Sequence, residues 1–486
     1  MTRLTSKAAV EGMNYHERTR SLLLRVGKSK VLVEVTALLR NHHDQDLQGT
    51  TGNSTSNANR RSSGIWGSQS LHISIGESFF QPHPRRAARD EQLLSLCSAV
   101  ADCLPHLETI HVGRALSGFI HSNVGAWCPV EAIQLLLASS SGKLTSLMLR
   151  NLQVYSCSEQ DASSGATTLL ANSLKHHATL ERFVWQHCEL LPRSRSILDP
   201  VLQTLSTIPN LKGLVVQCPP WSPTGTFASP SVLQTLVTPA LEELHLDGFH
   251  LQEQHVRRLM LTGPTSRALD AVAALQSISL SFQLTVDTMP ELGRTLAKML
   301  QTTPSLVTAR LRLEWLILDP STVATRSCRR QRLQALQLFQ DTLAQSLLST
   351  NQHQPRLERL DLIYYDSSQR LESFSKGNPP IICPNYFREV LESNFTLKYL
   401  RLPYNGEMEP TIDFSLKLNR TGIRQSLLTQ DVPPSRQQCV DALMKVRKDN
   451  SCSGLRISKE MSLSLSRTAL STTYYLLHET PWLFSQ

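Results

Sequence analysis

The chain has little charge and few aromatic side chains: Asp, Glu, Lys and Arg make up 18% of its 486 residues, and Phe, Trp and Tyr 6%. Such a composition excludes a solvated acidic or basic tail protein, which stays open because it has too little apolar surface to bury. Long apolar runs are missing too. No window holds about 18 uninterrupted apolar residues, so no transmembrane helix and no membrane partner are expected. The polar start, Met1 to Tyr15, lacks the apolar core of a secretory signal. The ten cysteines form no CxxC pair, and close pairs are how a chain presets half of a zinc tetrahedron. These absences predict a cytosolic or nuclear protein whose cysteines are reduced and act as small apolar fillers.

The net charge of +9 points toward nucleic acid until its location is considered. Residues 1–70 carry ten Lys or Arg against five Asp or Glu, and residues 409–486 carry ten against seven. The middle, 71–408, holds 29 against 28 and is nearly neutral. A nucleic-acid-binding domain carries its basic excess on the reading surface, whereas this excess sits at the two ends.

Leucine is abundant, with 79 residues. It recurs as LxxLxL at LETIHV (107–112), LTSLML (144–149), LERFVW (180–185), LKGLVV (211–216), LEELHL (241–246), LQSISL (275–280), LVTARL (306–311), LERLDL (357–362) and LKYLRL (397–402). A degenerate tenth copy, SLHISI, is expected at Ser70–Ile75. The steps between first leucines average about 36 residues, with one of 51 from 306 to 357. In a strand, side chains alternate faces, so positions 4 and 6 point the same way and positions 3, 5 and 7 point to solvent. Position 1 turns in just before the strand. One coil cannot cover its own leucines, so coils must stack as parallel strands.

Between the strands lie helix-like stretches such as 91–104, 130–139, 166–177 and 291–301, with apolar residues at helical spacing, as in Leu292, Leu296, Met299 and Leu300. The long step requires an insertion near Asp319–Arg332 or an unusually long helix at 331–349. The expected fold is α/β, a solenoid of parallel inner strands and outer helices. The pattern resembles the leucine-rich repeat family, in its ribonuclease-inhibitor-like type, over residues 70–408. That family continues with Asn or Cys at position 9 and an apolar residue at position 11. Cys188 with Leu190 fits, as does Asn405, while Leu152, Phe249 and Pro219 depart. The resemblance implies a horseshoe-shaped interaction scaffold.

Outside the repeats, residues 1–40 are expected to form an N-terminal cap, with strands suggested by the apolar runs Leu22–Val26 and Val31–Leu39. Residues 41–69, rich in Asn and Ser, read as a disordered loop. The LxxLxL pattern stops after 408, and 409–486 read as a C-terminal cap, since a solenoid must hide its last apolar face.

The search for chemistry yields little. Asp44 to Gly49 starts like an EF-hand loop, but Thr55 stands where a bidentate Glu is required. Gly142-Lys143 lacks the Ser/Thr and the earlier glycine of a phosphate loop. His478-Glu479 lacks the second His of a zinc protease, with Trp482 in its place. Glu243, His245 and Asp247 occupy positions 3, 5 and 7 of one strand, a row that could hold a metal or move protons but that also suits a solvated surface. Arg326, Arg329, Arg330 and Arg332 form a basic cluster in the long step.

The clearest candidate surface lies on the C-terminal repeats. Arg310, Arg312, Arg359 and Arg401 fall at outward positions with Asp361 among them, and Tyr364 and Tyr404 stand beside them at position 8. Arg and Tyr are enriched in interface hot spots, and a guanidinium grips carboxylates or phosphates in pairs of hydrogen bonds. The expectation is a non-catalytic scaffold that binds a protein partner, an acidic one if the arginines carry the contact, with no cofactor and no metal. The alternative is an RNA- or phosphate-binding module using the same arginines and the basic ends. A repeat-based enzyme or GTPase activator ranks third, because no catalytic constellation can be named.

Overall fold

A computed structural model of the chain describes residues 13–16, 20–26, 33–41, 68–76, 86–114, 125–140, 142–157, 165–191, 198–218, 230–261, 274–284, 288–315, 326–348, 356–365, 387, 390–391, 396–401 and 410–421. The expected 41–69 loop therefore lies almost wholly outside the described residues, as do Asn405 and most of 409–486. The fold is α/β with a mostly parallel sheet, and the chain divides into two compact units, Met1–Leu275 and Gln276–Gln486.

In the first unit, β1 (Met13–His16), β2 (Ser21–Val26), β3 (Ser70–Ile75), β4 (Thr109–Arg114), β6 (Ser146–Arg150), β8 (Arg182–Gln186), β10 (Gly213–Gln217) and β11 (Glu243–Leu251) lie side by side in that order. All neighbours pair parallel except β1, which runs antiparallel to β2. A second, smaller parallel sheet joins β5 (Ala126–Pro129), β7 (Leu152–Tyr155) and β9 (Glu189–Leu190). Helices alternate with the strands of the main sheet: α1 (33–41), α2 (Arg86–Cys103), α3 (Val130–Ser139), α4 (Gly165–Leu174), α5 (Asp199–Ser206), α6 (Pro230–Leu236) and α7 (Glu253–Leu261). From α2 to α7 each helix packs on the next. In the second unit, β12 (Ser277–Leu284), β13 (Thr308–Trp315), β14 (Arg359–Tyr365) and β15 (Tyr399–Arg401) pair parallel, accompanied by α8 (Met289–Thr302), α9 (Arg326–Leu348) and α10 (Pro410–Thr421).

The alternation of the LxxLxL pattern produces this packing. Leu22, Leu71, Ile110, Leu147, Phe183, Leu214 and Leu244 stand in one register row, and all are buried. Leu24, Ile73, Val112, Leu149, Trp185, Val216 and Leu246 form the next buried row. In the second unit, Ile278, Ala309, Leu360 and Leu400 form one such row, and Leu280, Leu311 and Leu362 another. Each buried apolar side chain contributes roughly 1.5–3 kcal/mol. The first leucines Leu107, Leu144, Leu180, Leu211 and Leu241 are buried below these rows. Position 9 is buried as well, whether it holds Cys188, Leu152 or Phe249. What matters there is apolar volume, so the departures from the family pattern do no harm.

The backbone repeats with the side chains. The carbonyl at position 2 of one repeat accepts from two N–H groups of the next: Glu108 O from Thr145 and Ser146, Thr145 O from Glu181 and Arg182, Glu181 O from Lys212 and Gly213, and Lys212 O from Glu242 and Glu243. The second unit does the same, with Val307 O accepting from Glu358 and Arg359, and Glu358 O from Lys398 and Tyr399. A left-handed residue then turns the chain away from the sheet at position 8, at Asn151 (φ 52°), His187 (φ 52°) and Gly248 (φ 80°). Asn tolerates this region through its short polar side chain and Gly through its lack of Cβ.

Three expectations change. The degenerate copy begins at Ser68, because Leu71 pairs with Ile110 and so holds position 4. The segment read as a strand over VLVEV contributes instead to helix α1, where Val35, Thr36 and Leu39 are buried at helical spacing while Val33 and Ala37 are exposed. Short apolar runs of this kind fit both periods, and contact with a neighbouring helix decides: Arg40 Nη2 donates to Ser95 of α2 and Cys103 Sγ to the Leu39 carbonyl. The parallel array also starts earlier than residue 70, since β2 pairs with β3 in full register. Of the two explanations for the 51-residue step, a long helix is present, α9 with 23 residues, while most of the segment of the proposed insertion lies outside the described residues; Thr308 still pairs with Arg359, position 3 with position 3.

Helix α10 supplies to β15, the last of the described strands, what a further repeat would supply. Leu144 O accepts from Thr179 Oγ1 and Leu357 O from Thr396 Oγ1, in each case a side chain of the next repeat. At the end of the series, Leu397 O accepts from Asn419 Nδ2 (2.8 Å) and Lys398 O from Arg420 Nε (3.0 Å).

Leu246→Arg places an unpaired charge in a fully buried row and is expected to cost more than about 4 kcal/mol, abolishing cooperative unfolding of its unit. Val33→Arg, half exposed on α1, should shift stability by less than about 0.5 kcal/mol. Equal denaturation midpoints for the two variants would contradict this packing.

Candidate functional site

The arginine surface is built by the outward residues of β13, β14 and β15. One register row reads Ser279, Arg310, Asp361, Arg401, the row before it Ser277, Thr308, Arg359, Tyr399, and the row after it Ser281, Arg312, Ile363. Arg310, Arg359 and Arg401 are exposed and Arg312 is half-buried. The strand pairing thus brings all four sequence-predicted arginines onto one face of the second unit, next to one another.

Asp361 is their centre. Its side chain is only 7% exposed, and the residue stands in register between Arg310 and Arg401. Arg359 reaches one of its oxygens, Oδ2, with both Nη2 (2.9 Å) and Nε (3.0 Å). A single carboxylate cannot balance three neighbouring guanidinium groups, and Arg310 and Arg401 are exposed. Beside them Lys398 is held by Glu358 at 2.6 Å, which removes that lysine as a free cation and leaves the arginines as the donors of this face.

Tyr399 completes the surface. It is 49% exposed, and the guanidinium carbons of Arg359 and Arg420 lie 6.0 and 4.9 Å from its ring centroid. A cation over an aromatic face is attracted by the ring quadrupole, so Tyr399 holds two arginines in place while keeping an edge free. The sequence pattern could have found Tyr399, which occupies position 3 of LKYLRL. It could not have found Arg420, which comes from a helix outside the repeat pattern. Tyr364 lies in β14, its backbone in register with Leu313, and its side chain lies outside the described residues. Tyr404 lies outside the described residues. Arg326, Arg329, Arg330 and Arg332 fall in the N-terminal half of α9.

The Glu243, His245, Asp247 row is internally engaged. Glu243 pairs with Arg182 at 2.8 Å, across the gap left by Gly213, and its other oxygen lies 3.6 Å from His245 Nδ1. Asp247 accepts from Gln217 Nε2. Among the described residues no group of three or more His, Cys, Asp or Glu is arranged to hold a metal ion. Cys97, Cys103, Cys128, Cys188 and Cys218 are buried free thiols, and burial pushes Cys97 and Cys188 up to about 12. Such thiols carry no nucleophile at neutral pH. No described helix is long and apolar enough to cross a membrane.

The strand face of the first unit carries a different cluster. His72 of β3 and His111 of β4 stand side by side in register, with their Nδ1 atoms 3.1 Å apart and their rings edge to face. Burial lowers the pKa of both, and for His111 the neighbouring His72 and Arg150 lower it further, to about 4. Compared with family models and with curated proteins, the chain matches none.

Two outcomes follow. Arg359→Met should destabilise the protein by about 1–3 kcal/mol, because it leaves a buried carboxylate without its partner. Adding Asp361→Asn should recover part of that loss, and a double-mutant cycle in urea checks it. Second, the depressed imidazoles bind fewer protons folded than unfolded, so their contribution is complete above pH 6.5 and is lost as the pH falls toward 4. His111→Asn should flatten the decline of stability over the upper part of that window. An unchanged slope in denaturation midpoint against pH would contradict it.

Proposed function

We propose that the chain is a leucine-rich-repeat solenoid and a non-catalytic interaction scaffold, and that the arginine face of its second unit binds an acidic segment of a protein partner. The observation that carries this reading is the convergence of Arg310, Arg359 and Arg401 around the single buried carboxylate of Asp361. Strand backbones fix the spacing of these side chains, so binding has no backbone to order. Guanidinium forks with an exposed tyrosine beside them are the chemistry of a hot spot for carboxylates. Repeated strand–helix units with a polar outward row support the scaffold reading. The near-neutral charge of residues 71–408 favours a local contact with a protein over one that tracks a nucleic-acid backbone.

The test is affinity capture from native lysate, with and without nuclease, comparing the wild type with a variant in which Arg310, Arg312, Arg359 and Arg401 are changed to Glu. A nuclease-resistant protein retained by the wild type and lost from the variant supports the scaffold reading. Capture that disappears on nuclease treatment moves the assignment to the RNA- or phosphate-binding alternative. Identical capture by both proteins overturns the arginine face as the contact.

A further inference from the structure

We infer that the acidic segment bound by the arginine face carries a phosphorylated residue, and that its phosphate monoester is gripped between Arg310 and Arg401. The inference rests on the reading of that face given above and names the anion the face selects.

The uncommitted charge decides which anion fits. Asp361 is already neutralised, since Arg359 reaches its Oδ2 with Nη2 (2.9 Å) and Nε (3.0 Å). Glu358 is taken by Lys398 at 2.6 Å. Arg420 is tied by its Nε to the Lys398 carbonyl and lies over the Tyr399 ring. Arg310 and Arg401 differ from these. Both are exposed, and neither makes a hydrogen bond or an ion pair with a described residue. They stand on either side of Asp361 in one register row. The acidic residues on β12 to β15 are Asp361 and Glu314, and Glu314 sits four residues beyond Arg310 along β13.

The geometry lets both arginines serve one ligand. Their backbones are two strand intervals apart, about 9–10 Å. An arginine reaches well beyond an aspartate rooted in the same row, so the two forks can close on an anion above the Asp361 carboxylate, on the solvent side. No cavity is needed there. A carboxylate brings one charge and two oxygens, enough for one guanidinium fork. A phosphate monoester brings a charge of about −1.5 to −2 and three acceptor oxygens on a single side chain, enough for both. A phosphodiester of nucleic acid brings one charge per phosphate and matches the pair less well. One phosphorylated residue also orders fewer side chains on binding than two separate carboxylates would.

Proton chemistry gives the monoester its own signature. The charged and titratable groups facing this site are Arg310, Arg312 and Glu314 from β13, Arg359 and Asp361 from β14, and Tyr399 and Arg401 from β15, with Glu358, Lys398 and Arg420 at its edge. No histidine occurs on β12 to β15. Arginine stays charged throughout, whereas the second ionisation of a phosphate monoester falls near pH 6. The dianion is lost as pH falls through that value. Binding that selects it should therefore weaken about fourfold between about pH 7.5 and 5.5.

The experiment uses the full chain and fluorescence anisotropy. The probes are three labelled peptides of one acidic sequence, with Ser, phosphoserine or Glu-Glu at the central position, and a single-stranded RNA of matching net charge. The phosphoserine peptide is expected to bind about tenfold more tightly than the Ser peptide and more tightly than the Glu-Glu peptide. It alone should lose affinity toward pH 5.5. Arg310→Gln combined with Arg401→Gln should remove the preference for phosphate and leave the urea midpoint unchanged, because both side chains are exposed and unbonded. Equal affinity for the phosphoserine and Glu-Glu peptides, both lost from the double variant, overturns the phosphate inference and keeps the acidic-segment reading. Absence of any peptide binding that depends on these arginines overturns both. Tighter binding of the RNA than of the phosphoserine peptide, through the same arginines, overturns both in favour of nucleic acid.

Discussion

No strand of this protein can cover its own apolar side chains, and the rest of the structure depends on that constraint. A five- or six-residue strand that turns two leucines inward leaves them open on both of its lateral sides, in the hydrogen-bonding direction. Only another strand of the same pattern, in the same register, closes the gap. Register then fixes which residues are outward neighbours. Arg310 and Arg401 flank Asp361 because Leu311 and Leu362 must meet, and His72 touches His111 because Leu71 must meet Ile110. The chemistry of the outward face is thus arranged by contacts made on the other side of the sheet.

The outward face must be wet, but it need not carry any particular charge. In the first unit Arg182 is absorbed by Glu243 and Asp247 by Gln217, so that part of the face is nearly self-contained. On β13 to β15 the cations outnumber their partners, and on β2 to β6 there are none of the opposite sign to find. These imbalances are local, and a net charge summed over the chain hides them.

Much of this was legible in the sequence. A period-2 pattern repeated at near-regular spacing leaves little freedom, so the parallel strands, the alternating helices and the outward placement of all four arginines follow from it. Where the pattern thinned, the reading slipped. Ser68 is buried at a position the pattern gives to leucine, which shifted that copy by two residues. The segment beginning at Val31 fits both a strand and a helix until a neighbour is present. Asn419 and Arg420 carry no such signal, since their roles are defined by the carbonyls of Leu397 and Lys398, far from them in sequence.

Those two carbonyls bear on how such an array ends. Within each unit the earlier repeats described here pass their open carbonyls to the next. Here two adjacent side chains, Asn419 and Arg420, intercept the sequence of donors and acceptors. Among the described residues the ladder is therefore closed by a local imitation of backbone chemistry. A chain cut before Asn419 would keep every leucine contact of its strands yet expose a template for the edge of another molecule. Colloidal behaviour, more than thermal stability, would reveal the loss.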